Sequence, residues 1–410
     1  MNDQSQNIQE MIEFIPSRAE ALNKLSKFVP KAGSAYAKLR NYDHGRGSHS
    51  DVSQLSPYIR RRTVSEAEVL KAVLTRHSLK GAEKFVQEVF WRTYWKGWLE
   101  MRPAVWTNYQ NDLARLSNQI ATQSGLRRRW EDACLAKTGI DCFDAWSDEL
   151  LNTGFLHNHA RMWFASIWIF TLNLPWQLGA DFFLRHLLDG DPASNTLSWR
   201  WVAGLQTVGK TYLARADNIE KFTDGRFRPV GLAKDVPALR EKAQYSRQPP
   251  PVQKPFDPSL PSLFLLHEED MQFHDILEAF DCALGAARIS RLHRLSPFAV
   301  SENVANFVEA LVQDAVTRLR DRIGPVHLTN TAEDILDLAQ SLSAKQIVTP
   351  YAPCGPVHSF LRRLTKGADK IGMDVVPYLS EYDRTCWPHA THGFFRFREH
   401  IPDLLERLSV

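Results

Sequence analysis

The chain has 410 residues, of which 24% are charged, and a formal net charge of +3 at pH 7. This length exceeds what one hydrophobic core usually fills, so we expect two domains. No apolar run approaches the roughly 20 residues of a membrane-spanning helix, and Met1 to Gln6 lack the basic and then apolar layout of a secretory signal. The sequence therefore predicts a cytoplasmic protein with no membrane partner.

The first part of the chain has helical patterns and no convincing strand. Thr63 to Glu66 resembles a capping box that opens a helix. Further helices are expected over about 81–100, 152–171 and 177–188 because apolar residues recur there at helical spacing. We expect residues 1–225 to form an all-α domain.

Two arginine runs lie in this part, Arg60 to Arg62 and Arg127 to Arg129. Such runs can contact phosphates even on a nearly neutral protein. Taken alone, each run is more often a solvated helix end, and that is the expectation for both.

A proline-rich stretch follows, with Pro249 to Pro251 at its centre. Proline fixes φ and lacks a backbone donor, so we expect an extended linker over residues 226–260. Eleven of the twelve tryptophans precede it, which indicates that the two flanking domains differ in kind.

Residues 261–410 alternate short apolar runs with helical patterns. The runs Leu263 to Leu266, Ile347–Val348 and Val375–Val376 are strand candidates, and strand–helix alternation favours a parallel sheet covered by helices. The predicted fold class is therefore mainly α, with an all-α domain followed by an α/β Rossmann-like domain. No glycine-rich nucleotide motif is present.

The five cysteines are scattered without a C-x-x-C pair, which predicts reduced thiols rather than a disulfide framework, a zinc site or an iron–sulfur cluster. They are Cys134, Cys142, Cys282, Cys354 and Cys386. His157 and His159 have no third ligand at matching spacing, so we expect structural histidines and no metal.

Two constellations could carry chemistry. Helical spacing places Glu88, Trp91, Arg92 and Trp95 on one side of a helix; an aromatic core face with a local ion pair explains them equally well. The second constellation is Arg161 with Asp189 and Asp191, which can be buried only if the charges pair or meet a polar ligand. Such a group suits a flat heteroaromatic ring, and an ion-pair network without a ligand is the alternative.

Four motifs follow one another in a fixed order. They are S-x-L-S-P-Y from Ser53, E-x-x-W-R from Glu88, T-G-x-x-H-N-x-x-R-M from Thr153 and D-G-D-x-x-x-N-x-x-x-W-x-W from Asp189. Together they resemble the FAD-binding domain of photolyases and cryptochromes, and the resemblance covers the whole first domain.

The resemblance implies FAD as the cofactor. It implies that the S-x-L-S loop and a tyrosine before it bind the FAD phosphates. The arginine, aspartate and asparagine side chains of the later motifs are implied to contact the flavin ring. The cofactor-binding residues so implied are Tyr42, Ser53, Gln54, Leu55, Ser56, Glu88, Arg92, Asn158, Arg161, Asp189, Asp191 and Asn195. Val52 stands where the family usually has a threonine.

The resemblance also implies a pocket for a flipped pyrimidine dimer. Its substrate-binding positions are Glu88, Trp91, Asn158, His159, Met162 and Trp201. The catalytic positions are Glu88, Asn195 and the electron-transfer tryptophans Trp199 and Trp176. A third tryptophan, expected near Ile120, is absent; Trp106, Trp146, Trp163 or Trp168 could take its place, with core packing as the ordinary role of each.

The implied function is light-driven repair of cyclobutane pyrimidine dimers in UV-damaged DNA, with an electron passing from reduced flavin to the dimer and back. The alternative is a cryptochrome-like photoreceptor that signals to a protein partner, and a third possibility is a flavin-binding scaffold without photochemistry. In the family the α/β domain precedes the FAD domain, so its position here suggests a circular permutation. The usual R-R-D-L-R signature is absent, and no antenna pigment is inferred.

Overall fold

The computed structural model describes residues 14–280 and 283–410; Cys282 lies outside this range. The helices of the first part are α1 Arg18–Phe28, α2 Ser34–Leu39, α3 Ser56–Arg60, α4 Glu66–Arg76, α5 Glu83–Glu100, α6 Ala104–Thr122, α7 Ser124–Cys134, α8 Asp141–Thr153, α9 Asn158–Ser166, α10 Trp176–His186, α11 Pro192–Val202 and α12 Ala216–Phe222. A π-helical turn, Ile167–Thr171, extends α9. Residues 14–225 contain no strand, and residues 226–260 contain neither helix nor strand.

Two helix starts differ from the sequence prediction. The capping box belongs to Ser65, whose hydroxyl accepts the N–H of Glu68 while the Glu68 carboxylate accepts the N–H of Ser65. The helix expected from residue 152 begins only at Asn158, because α8 ends at Gly154 in the left-handed conformation, with φ of 68°. Glycine tolerates this conformation and ends the helix there.

The second part contains a five-stranded parallel sheet with the order β3-β2-β1-β4-β5. Its elements are β1 Ser262–His267, α13 His274–Ala279, β2 Ala283–Ile289, α14 Glu302–Ile323, β3 Val326–Leu328, α15 Ala332–Ser341, β4 Gln346–Pro350, α16 Pro356–Asp369, β5 Asp374–Tyr378, α17 Glu381–Cys386, α18 Phe394–Arg398 and α19 Ile401–Arg407. The predicted fold class is confirmed.

The sheet is buried on both faces. Leu263 and Leu265 of β1 pack under α15 and α16, whereas Phe264 and Leu266 join the core that continues into the helical part. Alternate side chains of a strand point to opposite faces, so β1 connects the two hydrophobic clusters. No helix of the described residues has both the length and the apolar character that crossing a bilayer requires.

A buried ion-pair network joins the two parts. Arg60 binds Glu269, which follows β1, through both terminal nitrogens, at 2.7 and 2.9 Å. Arg62 binds Asp270 at 2.9 Å and Asp383 at 2.6 Å. The expectation of a solvated helix end at Arg60 to Arg62 is therefore wrong, since all three side chains are buried. Arg127 to Arg129, in contrast, are exposed on α7.

Candidate FAD and substrate site

Asp191 caps α11. Its Oδ1 accepts the N–H of Ser194 at 2.8 Å, and Pro192 occupies the first turn. Its Oδ2 lies 3.5 Å from Nε of Arg60 and 3.8 Å from Nη1 of Arg92. Burial raises the pKa of Asp191, but Arg60 and Arg92 outweigh this effect and hold the pKa well below its usual range. The carboxylate is thus ionised and held by protein groups.

Arg161 and Asp189 form a bidentate ion pair. Nη1 and Nη2 of Arg161 donate to the two carboxylate oxygens at 3.0 and 2.9 Å, and Nε donates to the carbonyl of Leu156 at 2.8 Å. The pair is partly accessible, with 23% of the Arg161 side chain exposed. The orientation of the pair is therefore fixed by protein groups, while part of the arginine side chain stays accessible.

Asn195 lies one turn into α11, and its amide donates to the carbonyl of Ala180 at 2.7 Å. Next to it, the hydroxyl of Ser194 is buried and has no hydrogen-bond partner within the described residues. A buried polar atom without a partner indicates a ligand or water.

The loop from Ser53 to Ser56 enters α3. Gln54 has φ of 52°, and its side-chain oxygen accepts a hydrogen bond from Nζ of Lys24 at 2.8 Å. Leu55 is buried, whereas Ser53, Gln54 and Ser56 are partly accessible. The amide nitrogen of Gln54 donates to the carbonyl of His49 at 3.2 Å. The loop therefore presents the hydroxyls of Ser53 and Ser56, groups that suit phosphate oxygens.

Tyr42 lies between two other rings. Its ring stacks on His44 at 5.9 Å and meets the edge of Phe222 at 5.2 Å. Tyr36 of α2 is instead buried beside Arg40 and Glu88, and burial raises its pKa. Tyr36 and Arg40 were not predicted from the sequence, because both lie outside the recognised motifs.

Glu88 pairs with Arg40. Burial raises the pKa of Glu88, and Arg40 offsets this only in part. With 31% of its side chain exposed, the carboxyl group can still reach a molecule placed beside α5. The fourth residue of this constellation, Trp95, is buried among aromatic rings.

Trp91 stacks on Phe394 of α18, with ring centroids 3.7 Å apart and planes 13° apart. The hydroxyl of Tyr94 donates to the carbonyl of His392 at 2.8 Å. Residues 392–394, the C-terminal segment, are thus held against α5. Arg92 turns away towards Glu66, at 3.4 Å. The C-terminal segment therefore backs one face of Trp91.

The other predicted substrate residues divide between surface and interior. Asn158 is exposed at the start of α9, and Met162 and Trp201 are partly exposed. His159 is buried, stacks on Trp163 at 4.1 Å, and places Nδ1 2.9 Å from the carbonyl of Asn41. Its contacts are those of a structural histidine.

The predicted electron-transfer tryptophans are both buried. Trp199 lies against the backbone of α10 at Gly179 and meets Trp168 edge-on at 6.2 Å. Trp176 stands next to Tyr109 at 5.7 Å, and Tyr109 next to Trp106 at 5.1 Å. The third tryptophan was expected near Ile120 of α6. The same helix places Tyr109 beside Trp176 and Trp106 beside Tyr109.

Asp43, His49 and Glu149 form a buried cluster whose ligand-type atoms lie within 4.8 Å of one another. Asp43 already accepts from the indole of Trp146 at 3.0 Å and pairs with Arg226 at 3.1 Å, and Nε2 of His49 lies 2.7 Å from Glu149. These contacts explain the cluster as a hydrogen-bonded core network. No local motif predicts this cluster, because its members are far apart in the chain.

Residues 85–238 match the family model of the FAD binding domain of DNA photolyase. This part of the chain is a photolyase-type FAD-binding domain, and its cofactor is FAD. The resemblance predicted from the four motifs is therefore confirmed over this segment.

Curated relatives named deoxyribodipyrimidine photo-lyase match part of the chain. The one from Streptomyces griseus is 36% identical over 203 residues, which cover 44% of this chain and 41% of the relative. One from Thermus thermophilus is 33% identical over 209 residues, covering 48% and 45%. The chain spans less than half the length of the curated relatives it matches.

A solved structure of a bacterial class III photolyase from Agrobacterium tumefaciens is 26% identical. The match covers 52% of this chain and 44% of that one, with a TM-score of 0.44.

Proposed function

We propose that the protein is a light-driven DNA photolyase that repairs cyclobutane pyrimidine dimers. The observation that carries the proposal is the bidentate Arg161–Asp189 pair, with 23% of the arginine side chain exposed, within the segment that matches the FAD binding domain of DNA photolyase. When bound and reduced, FAD would supply the electron that opens the cyclobutane ring, and the electron would afterwards return to the flavin.

The chain's own groups bind and orient the reactants in this proposal. Arg161 and Asp189 hold the flavin edge, and the loop from Ser53 to Ser56 with Lys24 holds the phosphates. Glu88, ion-paired with Arg40, accepts a hydrogen bond from an N–H of the pyrimidine edge. Trp91 and Trp201 offer partly exposed flat faces for a dimer flipped out of the helix.

We also propose that residues 261–410 correspond to the α/β domain that precedes the FAD domain in the family, moved behind it by circular permutation. The sheet order, the proline-rich connection and the buried contacts of Arg60 with Glu269 support this relation.

The test is repair under illumination. Protein reconstituted with reduced FAD and an oligonucleotide containing a thymine dimer should restore thymines in light and not in darkness. Glu88→Gln should lower the repair rate about tenfold, the effect of losing one charge-assisted hydrogen bond. Glu83→Gln, an exposed position on the same helix, should leave the rate unchanged.

Dimers that persist after illumination would contradict the proposal. If the flavin is nevertheless photoreduced, the photoreceptor alternative is favoured.

A further inference from the structure

The short helix α18 presents an aromatic ring and two arginines at the surface. Phe395 is 71% exposed, and Arg396 and Arg398 are exposed beside it. The guanidinium of Arg398 lies 5.5 Å from the ring centroid of Phe395. We call these three side chains the basic tip.

The basic tip adjoins one of the predicted substrate residues. Phe394, which precedes it, stacks on Trp91 of α5 with ring centroids 3.7 Å apart. Phe397 packs against Tyr94 of the same helix, with ring centroids 5.7 Å apart. The buried side chains of α18 therefore fasten it to α5, and its exposed side chains face solvent next to Trp91.

Hydrogen bonds just before α18 hold the basic tip in place. The hydroxyl of Tyr94 donates to the carbonyl of His392, and Nη2 of Arg102 donates to the carbonyl of Thr391, both at 2.8 Å. The guanidinium of Arg102 also lies 4.3 Å from the ring centroid of Trp98. A surface held in this way loses little conformational freedom when it binds a partner.

The two arginines of the basic tip are not neutralised by the protein. Within the part of the chain that the structure describes, neither Arg396 nor Arg398 forms an ion pair, although the exposed Glu399 follows them. Exposed guanidiniums of this kind fit phosphate oxygens, and the phosphates of a DNA backbone attract them.

A single exposed aromatic residue needs no explanation by itself. Phe395 differs because two cations flank it and because its neighbour in the chain stacks on Trp91. Bases of an opened strand stack on exposed rings, while arginines beside such rings contact the phosphates. No other apolar side chain of α18 is exposed, so the surface favours nucleic acid over a protein partner.

We propose that the basic tip contacts the DNA strand beside a flipped dimer, with Phe395 stacked on a base next to the lesion and Arg396 and Arg398 on the flanking phosphates. The inference rests on the proposed dimer repair, because it takes Trp91 as the neighbour of the flipped bases. It also extends that proposal, because α18 lies outside residues 85–238, the part that matches the FAD binding domain.

Fluorescence anisotropy in darkness tests the basic tip, with the FAD-loaded full chain and labelled duplexes that contain one thymine dimer or none. Arg396→Gln combined with Arg398→Gln should weaken binding of the dimer duplex about tenfold. The slope of log affinity against log salt should fall by about 2, one unit for each lost phosphate contact.

Phe395→Ala should weaken binding of the dimer duplex about tenfold, because one base loses its stacking partner. It should leave the salt slope and the affinity for the undamaged duplex unchanged, since that duplex offers no opened stack.

The control variant combines Arg320→Gln with Arg362→Gln, which removes the same charge from exposed positions of α14 and α16. It should keep the wild-type affinity and slope. All these variants change exposed side chains, so each should keep the Tm of the wild type.

Wild-type affinity for the dimer duplex in either tip variant would overturn the proposal, as would an equal loss for damaged and undamaged duplexes in Phe395→Ala. Repair of dimers by a protein whose tip variants bind as the wild type does would contradict the basic tip alone. Binding that depends on the basic tip, without repair in light, would contradict the photolyase proposal alone. Absence of DNA binding by the wild type would overturn both.

Discussion

At the scale of single residues, His157 combines a structural contact with a strongly shifted pKa. Its Nδ1 accepts the N–H of His159 at 3.2 Å and so caps α9. The imidazole is 1% exposed, and burial lowers its pKa to about 3. The folded protein therefore holds this side chain neutral where an unfolded chain would protonate it.

The lowered pKa of His157 makes the folded protein less stable as the pH falls. In the unfolded chain the pKa is 6.5 and in the fold about 3, so the unfolded state binds more protons between these values. The contribution of His157 is complete above pH 6.5 and is lost as the pH falls towards 3. At pH 5 the loss is about 2 kcal/mol.

We predict that His157→Asn flattens this dependence. Asparagine can cap the helix in the same way and does not titrate. Urea unfolding at pH 7, 6 and 5 should show the wild type losing about 2 kcal/mol more than the variant. His392→Asn, at an exposed histidine, should keep the wild-type slope. A variant as acid-sensitive as the wild type would contradict the argument.

Residues that act in pairs were predictable only where both partners belong to recognisable motifs. Arg161 and Asp189 each stand in such a motif, and the structure joins them. Arg40 and Phe394, which contact Glu88 and Trp91, lie outside the motifs. Their proximity is a product of the tertiary fold, and no local spacing encodes it.

At the scale of elements, the contact of α10 with α11 depends on a missing side chain. A Cβ at Gly179 would lie 2.3 Å from Cη2 of Trp199 and 2.9 Å from Cε2 of Trp168. The two rings therefore fill the space that any other residue would need. This close approach sets the position of Trp199 against α10.

We predict that Gly179→Ala lowers the free energy of unfolding by about 1–3 kcal/mol through overpacking. Gly125→Ala is the matched control, because a Cβ at this position of α7 would have no neighbour within 4 Å. It should raise stability by about 0.5–1 kcal/mol, since alanine favours the helix. Chemical denaturation followed by tryptophan fluorescence measures both, and effects of equal sign would contradict the prediction.

The predicted elements show where sequence patterns succeed. The strands β1, β4 and β5 have apolar runs and were expected, whereas β2 and β3 were missed. The segment Ala283–Ile289 is rich in alanine and contains Gly285, and Val326–Leu328 is short with two exposed residues. Both owe their extended form to pairing with neighbouring strands rather than to β-propensity.

At the scale of the whole molecule, the ion-pair network holds the helical part to the α/β part. Glu269 is buried, and its pKa falls to about 2, because Arg60 and Arg61 outweigh the effect of burial. Removing one partner of a buried pair leaves an uncompensated charge in the interior.

We predict that Glu269→Gln lowers the free energy of unfolding by about 3–5 kcal/mol. Cleavage in residues 226–260 during limited proteolysis should also accelerate, because the two parts separate more often. Glu309 is the control, because it pairs with Arg288 at the surface and 57% of its side chain is exposed. Glu309→Gln should change the free energy of unfolding by less than about 1 kcal/mol. Equal losses in the two variants would show that the network does not hold the parts together.

The same network restricts how the sequence can diverge. A substitution of Arg60 or Arg62 leaves buried carboxylates uncompensated after β1, and a substitution of Glu269 or Asp270 does the same to buried guanidiniums. Neither side of these pairs can change alone without a large loss of stability. Relatives with this order of parts should therefore keep both sides or replace both together, even though the two sides are about 200 residues apart in the chain.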